Sequence, residues 1–167
     1  MLDFRFSNTQ NGRNQDSVGR LLVQPRLWIP HGDYPAHTEW RDKALAEIAT
    51  GRKRTMLAYW GPEAVGSIVY QQHPQDSTKV EIRNLSIEPH ARGRHVASFL
   101  LRQVEEEAVV DFPGATTIVA DTKRANTGIL NFVLRNGYTI DGVALLTDSA
   151  FAHNGEPDVL LSKRLVA

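Results

Sequence analysis

A short stretch in the middle of the chain combines the residue types that bind phosphate. It reads Leu85-Ser-Ile-Glu-Pro-His-Ala-Arg-Gly-Arg-His-Val-Ala97, and a helical pattern follows it. This order predicts a strand that ends in a turn at a helix start, where unpaired backbone N–H groups and the helix dipole favour an anion. We expect a pyrophosphate-binding turn made by Arg92, Gly93, Arg94, His95, Val96 and Ala97.

The strand that leads into this turn has an irregular alternation. Its apolar positions in residues 79–88 are Val80 and Ile82, then Leu85 and Ile87, so the period of two slips by one residue. Such a slip predicts a β-bulge between Ile82 and Leu85. After the turn, helical spacing predicts an amphipathic helix that packs on a sheet. The apolar face of that helix comprises Val96, Phe99, Leu100, Val104 and Ala108.

The remaining elements alternate between strands and helices. Residues 2–6 and the pairs 55–60 with 65–71 and 138–146 with 158–165 read as strands, as does the β-branched run 116–121, which is typical of a strand buried on both faces. Helices are expected at 18–27, 36–50 and 126–136. A strand, a crossover helix and another strand predict two parallel strands at the centre of a mixed sheet.

Composition limits the classes of protein and partner. The chain has 167 residues, is 41% hydrophobic and contains no cysteine. That length suits one domain over residues 1–167 with an unaided core. The missing cysteine excludes disulfide scaffolds, thiol catalysis and zinc–thiolate sites. Because 19 basic residues balance 19 acidic ones, we expect no nucleic-acid or anionic-membrane partner.

The sequence contains no pattern typical of a membrane span, a signal peptide or a metal site, and its charge runs have ordinary explanations. No apolar run approaches the ~18 residues of a membrane span, and the first residues lack a signal peptide's features, so we expect a cytoplasmic protein. The run Arg52-Lys53-Arg54 is predicted to be a solvated helix end, or alternatively a site for a small polyanion, and residues 105–107 a solvated acidic face. With no metal-binding, serine-hydrolase or Walker motif, we expect no metal site.

Three segments, in this order, resemble the GNAT superfamily of acyl-CoA-dependent N-acyltransferases over about residues 53–140. Leu85-Ser-Ile87-Glu-Pro89 is similar to the family's bulged fourth strand. Arg92-Gly-Arg-His95-Val-Ala97 is similar to its Arg/Gln-x-x-Gly-x-Gly/Ala turn, and Asn126-Thr-Gly-Ile-Leu-Asn-Phe-Val-Leu-Arg-Asn-Gly-Tyr138 to its Asn-led helix. The resemblance implies an α+β (mixed α/β) fold, with a mostly antiparallel sheet that contains two splayed parallel strands and is flanked by helices.

The same resemblance implies acetyl-CoA as the co-substrate. Backbone groups freed by the bulge near Leu85 and Ile87 would bind the pantetheine amides as an added strand would, and an N–H there would stabilise an oxyanion. The side chain of Asn126 would bind the same arm, unless it is a plain helix N-cap. Since no cysteine can form a thioester, the acetyl group would pass directly to a primary amine.

Two positions depart from the family pattern. His95 stands where glycine is usual, which matters only if that residue needs a positive φ or if its side chain blocks the phosphate. We expect binding to be retained, with the imidazole facing solvent or touching the phosphate. Val133 stands where many members carry a tyrosine that protonates the leaving thiolate. Tyr34 is the substitute acid, or alternatively packs or binds substrate.

The attacking amine must first lose a proton, because its pKa is ~10.4. Glu81 is the predicted base, since the resemblance places a carboxylate in this region of the sheet. The alternative is a strand glutamate paired with Arg83 or with a surface lysine. Asp121 is the reserve base, or alternatively caps a turn with Lys123.

The acceptor amine and the oligomeric state stay open. We expect the acceptor to enter over residues 28–34, the second helix and the loop between the last two strands, near His31, Asp33, Tyr34, Asp148 and Phe151. The alternatives to an enzyme are a non-catalytic acyl-CoA-binding module and a structural adaptor. The apolar Val159 to Leu161 would serve a homodimer contact or lie in a strand inside the sheet.

Overall fold

The computed structural model describes residues 4–8, 15–23, 37–144 and 157–166. Strands and helices follow one another as the sequence predicted. Their order is β1 (Phe4–Asn8), α1 (Gln15–Val23), α2 (His37–Ala49), β2 (Lys53–Trp60), β3 (Glu63–His73), β4 (Asp76–Ile87), α3 (Val96–Asp111), β5 (Thr117–Lys123), α4 (Thr127–Arg135), β6 (Thr139–Ala144) and β7 (Asp158–Arg164).

The described strands form one mixed sheet in the order β1-β2-β3-β4-β5-β7-β6. Neighbouring strands are antiparallel except β4 and β5, which run parallel and are joined by α3. A parallel pair requires such a crossover connection, and a helix on one face of the sheet supplies it. The predicted α+β fold, mostly antiparallel with two parallel strands and flanking helices, is confirmed.

The two parallel strands pair over a short distance only. Their pairing runs from Lys79 opposite Thr117 to Glu81 opposite Val119, and no later residue of β4 pairs with a described residue of β5. The strands therefore part toward their carboxyl ends. We call the opening between them the splay.

A bulge in β4 lies at the start of the splay. Along β3, Val69 lies opposite Asn84 whereas Tyr70 lies opposite Ile82, which leaves Arg83 as the extra residue of β4. This confirms the bulge predicted between Ile82 and Leu85. Because a bulge bends its strand and disturbs the ladder, β4 can turn away from β5 at this point.

Apolar clusters cover both faces of the sheet. One cluster joins α3 and α4 to the central strands, with Leu100, Val104 and Ile118 among its fully buried members. The other lies between α1, α2 and the strands β2 and β3. Val159 and Leu161 are buried in the first cluster because β7 lies between β5 and β6. Of the two interpretations of these residues, the strand inside the sheet is correct.

The apolar face of α3 differs from the predicted one by one residue. Phe99 is 44% exposed, whereas Leu101, which was not predicted, is 2% exposed. The buried positions of the helix are thus Val96, Leu100, Leu101, Val104 and Ala108. A single sequence pattern cannot distinguish two neighbouring apolar residues at the edge of such a stripe.

The predicted solvated helix end at Arg52-Lys53-Arg54 is wrong for two of its residues. Lys53 is only 7% exposed, and its ammonium lies 2.6 Å from a carboxylate oxygen of Glu47. Arg54 is also largely buried and lies 4.0 Å from Asp111. Both residues belong to β2 rather than to the helix, so their side chains pack against α2 and α3. Neither is free to bind a polyanion.

Two other expectations about exposure are corrected. Glu105 does not belong to a fully solvated face, because its carboxylate is largely buried and accepts a 2.6 Å hydrogen bond from Lys163. β5 is not buried on both faces either: Ile118 and Thr122 are buried, but the opposite face carries Asp121 and Lys123. Since Asp121 lies within this strand, its alternative role as a turn cap is also wrong.

Candidate active site

A cavity of about 620 Å³ opens where β4 ends and α3 begins, on the sheet face that α3 and α4 cover. Its size is typical of a small-molecule site. Residues of the predicted cofactor site that line it are Leu85, Ile87, Arg92, Gly93, His95, Val96 and Ala97. Arg94 and Asn126 are not among the lining residues, so these two predicted contacts receive no support from the cavity.

The turn before α3 has the geometry of an anion site, at the cost of backbone strain. After a 3₁₀ turn at Pro89–Ala91, Gly93 has φ +72° and His95 has φ +62° before the helix begins at Val96. The first N–H groups of α3 have no intrahelical acceptor, and Val96, Ala97 and Ser98 lie at the cavity wall. The turn therefore presents backbone donors to the cavity.

His95 meets the condition under which its departure from glycine matters. Among the described residues it is the one non-glycine residue with positive φ, a conformation that costs of order 1 kcal/mol or more. Its imidazole is exposed and lines the cavity. The side chain does not change the direction of the backbone N–H groups, so the turn keeps its donors although the residue is strained.

The two arginines of the turn have different surroundings. Arg92 Nε donates a 3.0 Å hydrogen bond to the carbonyl oxygen of Ile87, which ties the turn to the end of β4. This bond also occupies one of the backbone groups predicted to meet pantetheine. The guanidinium of Arg94 instead stacks 4.9 Å over the ring of Trp60 in β2. Arg92 thus stands beside the cavity, whereas Arg94 supports the turn from outside.

One face of α4 forms the opposite wall of the cavity, and the sequence analysis missed it. Gly128, Phe132 and Arg135 line the cavity and are separated by four and three residues, which is the spacing of one helix face. Arg135 adds a cation to the cavity from the last turn of this helix. Helical spacing counted from Asn126 groups these residues on one face of α4. It does not show which face of the helix lies against the turn.

Asn126 caps α4. Its Oδ1 accepts a 3.4 Å hydrogen bond from the N–H of Ile129, as an N-cap side chain does. The alternative interpretation of this residue is therefore present in the structure. A further contact of its amide with the pantetheine arm stays a prediction.

The position of the family's thiolate-protonating tyrosine carries no polar group. Val133 is buried in the same apolar cluster as Tyr138 and Leu100, and it does not line the cavity. Val133 therefore cannot supply an acid. Tyr34, the predicted substitute, lies outside the described residues, as do His31, Asp33, Asp148 and Phe151 of the predicted acceptor site.

The opposite face of the sheet carries charged side chains at the splay. They are Glu81 and Arg83 on β4, Asp121 and Lys123 on β5, and Asp158 on β7, and we call these five residues the splay cluster. Glu81 and Val119 are paired and so share a face, and strand alternation places Asp121 and Lys123 on that same face. The bulge residue Arg83 joins them through an ion pair with Glu81.

Glu81 has both carboxylate oxygens engaged. Oε1 accepts a 2.7 Å hydrogen bond from Arg83 Nη1, and Oε2 accepts a 2.8 Å bond from Gln71 Nε2. The alternative predicted for this residue, an ion pair with Arg83, is thus present. Its role as a base stays a prediction.

Asp121 and Asp158 differ in their partners. Asp158 accepts a 2.9 Å hydrogen bond from Lys123, and both side chains are largely buried. Asp121 makes no side-chain hydrogen bond or ion pair with any described residue. Burial raises the pKa of the Asp121 carboxyl above its usual value, and the neighbouring Asp158 and Glu81 raise it further, while Arg83 and Lys123 oppose the shift.

Beyond Glu81, the edge of β4 that faces β5 has no strand partner among the described residues, although β4 stays paired with β3 on its other side. Backbone polar groups on that edge near Leu85 are therefore available to a ligand that lies in the splay.

In the described ranges no group of three or more His, Asp and Glu residues could hold a metal ion. No helix in those ranges is long and apolar enough to cross a membrane.

The sequence profile of the acetyltransferase (GNAT) family matches residues 20–138, well over half of the chain. A protein assigned to the GNAT family from Desulfovibrio desulfuricans is 16% identical, with a TM-score of 0.77 over 98% of this chain and 100% of its own. YncA from Salmonella typhimurium, solved with its cofactor acetyl-CoA, is 14% identical, with a TM-score of 0.71 over 100% of this chain and 95% of its own.

A third similar structure is an aminoglycoside 6'-N-acetyltransferase complexed with coenzyme A. It is 19% identical, with a TM-score of 0.68 over 98% of each chain. At these identities the three structures establish a shared fold and nothing finer. A search of curated protein sequences finds no match.

Proposed function

Because this chain belongs to the acetyltransferase (GNAT) family, we propose that it transfers an acetyl group from acetyl-CoA to a primary amine of a small molecule, a peptide or a protein. The observation that carries this proposal is the splay, which lies between two sites of different chemistry. The cavity at the start of α3 lies on one face of the sheet, and the splay cluster lies on the other. A thioester held in the opening would meet an amine held at the cluster.

The cavity supports CoA as the donor. Its wall offers the first N–H groups of α3, with Arg92 and Arg135 beside them, and these are groups that bind a pyrophosphate. The free edge of β4 near Leu85 would bind the pantetheine amides as an added strand. Leu85, Ile87 and Phe132 offer apolar contact to the rest of the arm. Asn126 would reach the arm from the start of α4.

The chemistry proposed for the splay is direct acyl transfer. A backbone N–H at the edge of β4 stabilises the oxyanion that develops on the thioester carbonyl. The sequence has no cysteine, so no thioester intermediate can form on the protein. A carboxylate of the splay cluster, predicted from the sequence to be Glu81, accepts the proton of the incoming amine. Tyr34 is the proposed donor of a proton to the leaving thiolate.

Thiol release tests the activity directly. The protein contains no cysteine, so every thiol that appears in a mixture of protein, acetyl-CoA and amine comes from CoA. We expect a panel of primary amines to raise thiol release well above the rate with acetyl-CoA alone, and the acetylated amine to appear in equal amount by mass spectrometry. Acetyl-CoA binding without amine-dependent release from any panel member would contradict an enzymatic role.

A specific observation favours a second candidate function. The buried Val133 leaves the family's acid position empty, as expected in a non-catalytic acyl-CoA-binding module. A thiolate leaves tolerably well without an acid near neutral pH, since thiol pKa values are ~8.5, so we favour the enzyme. The thiol assay separates the two candidates. In both, we propose that residues 1–167 act as one domain.

A further inference from the structure

Asp121 stands at the place where the parallel strands have just parted. The last parallel pair is Glu81 with Val119, and Asp121 is the next residue of β5 on the same face of the sheet. It pairs with Leu160 of β7 on the other side, so its backbone is fixed by a regular strand. Its carboxylate therefore lies at the splay on a rigid element, which is the preferred support for a catalytic group.

Glu81 already has a partner on each carboxylate oxygen, although the sequence favours it as the base. Its two oxygens accept charge-assisted or polar hydrogen bonds from Arg83 and Gln71 at 2.7 and 2.8 Å. The geometry suits a residue that fixes the guanidinium of Arg83 rather than one that exchanges protons.

Asp121 has the opposite surroundings. No described residue forms a hydrogen bond or ion pair with its carboxylate, and the residue is half-buried. The charged groups that face it are Arg83 and Glu81 from β4, Asp158 from β7 and Lys123 from its own strand. Of these, Lys123 is bound to Asp158 at 2.9 Å and Arg83 to Glu81 at 2.7 Å. Because the neighbouring charges are already paired with one another, the Asp121 carboxylate can form an ion pair with one incoming cation.

We propose that Asp121, and not Glu81, is the carboxylate that binds the ammonium group of the acceptor and takes its proton, while Glu81 positions Arg83 at the mouth of the splay. This inference rests on the proposed acetyl transfer. It also specifies the acceptor, since three carboxylates and two cations give the splay cluster an excess of one negative charge when all five residues are ionised. Such a site favours a cationic amine over an amine that carries a net negative charge.

The reaction balances with these groups. Asp121 takes one proton from R–NH₃⁺, and the neutral nitrogen attacks the carbonyl carbon of the acetyl thioester. A C–N bond forms, and the C–S bond then breaks with its electron pair on sulfur. The second proton leaves the nitrogen and neutralises the thiolate, which gives the amide and free CoA. Asp121 returns its proton to water. Desolvation aids the first step, because it brings the pKa of the carboxyl closer to that of the amine.

The test compares two isosteric variants with a control. For D121N, E81Q and D141N, kcat and KM with acetyl-CoA and a cationic diamine such as 1,6-diaminohexane are measured by thiol release from pH 5 to 9. Asp141 is an exposed aspartate of β6 and serves as the control. We expect D121N to lose at least 100-fold in kcat, the range of general-base catalysis, and to lose the rising limb of the pH profile. E81Q should lose less than about tenfold in kcat and keep that limb.

Two further measurements separate a catalytic role from a structural one. D121E should recover part of the activity that D121N loses, and both should bind acetyl-CoA as the unmodified protein does. A ¹³C NMR titration should give the Asp121 carboxyl a pKa above the usual range even without substrate. Equal kcat in D121N and the unmodified protein, or loss of the rising limb in E81Q alone, would overturn this inference. Failure of the unmodified protein to bind CoA would instead contradict the proposed function.

Discussion

At the scale of single residues, the proposed cofactor site of this chain contains side chains that the family does not usually place there. His95 holds a left-handed conformation that glycine adopts freely, and it does so in the turn that presents backbone N–H groups to the cavity. The helix dipole and those N–H groups do not depend on the side chain. The site therefore tolerates the histidine, while the fold bears the strain.

The strain at His95 predicts that H95G stabilises the protein. Glycine relieves the left-handed strain, and part of the gain is lost to the greater freedom of the unfolded chain, so we expect a rise of about 1 kcal/mol in the free energy of unfolding. Urea denaturation measures it. Affinity for CoA should stay within about threefold, because the backbone donors remain. A less stable H95G protein would show that the imidazole makes a contact that outweighs the strain.

The buried position of Val133 predicts that a tyrosine placed there lowers stability without raising kcat. Restoring the family's residue with V133Y puts a phenol into a position that is only 6% exposed and packed in the core. We expect a loss of about 1–3 kcal/mol in the free energy of unfolding from overpacking, with no gain in kcat. V133F, which adds the ring without the hydroxyl, is the control matched for volume. Faster thiol release by V133Y at unchanged stability would mean that this position does reach the reacting atoms.

At the scale of elements, the local patterns were the ones that the sequence predicted well. The slip in apolar alternation placed the β4 bulge between Ile82 and Leu85, where the structure has Arg83 as the extra residue. The turn residues before Val96 located the start of α3. Both features depend on neighbours along the chain. The cavity wall on α4 escaped prediction because the choice of its inward face is made by packing against another element, as was the choice between Phe99 and Leu101 on α3.

The observed face of α3 predicts unequal costs for two truncations. L101A removes a side chain that is 2% exposed and should lower the free energy of unfolding by about 2–5 kcal/mol, because it leaves a cavity. F99A removes a larger side chain that is 44% exposed and should cost less than about 1.5 kcal/mol. Urea denaturation of both variants measures the difference. A larger loss of free energy of unfolding in F99A than in L101A would mean that Phe99 is buried, as the sequence predicted.

At the scale of the whole molecule, long-range pairs determine what the charged residues do. Lys53 meets Glu47, Lys163 meets Glu105, and Arg94 stacks on Trp60. Such partners come from different elements, and no pattern along the sequence identifies them. The position of β7 between β5 and β6 is likewise not identified by any pattern along the sequence. It brings Asp158 to the splay cluster. The cluster is thus a product of the topology.

The half-buried Asp121 predicts a pH-dependent stability difference. Its pKa is raised from the usual 3.8, so the folded protein holds this proton more tightly than the unfolded chain does. The free energy of unfolding therefore falls as pH rises through the raised pKa, and D121N, which cannot ionise, escapes that fall. We expect urea denaturation to show D121N gaining stability relative to the unmodified protein as the pH rises above the usual aspartate value of 3.8. A difference independent of pH would contradict a desolvated carboxyl.

Calorimetric titration with acetyl-CoA, of the unmodified protein and of R135E and R102E, tests the central claim most directly. Arg135 lines the cavity, whereas Arg102 is an exposed residue of α3 outside it, so the two charge reversals are matched. We predict micromolar binding, worth about 8 kcal/mol, that R135E weakens at least tenfold and R102E leaves unchanged. Absence of binding to the unmodified protein, or equal binding by R135E, would contradict the assignment of this cavity to CoA.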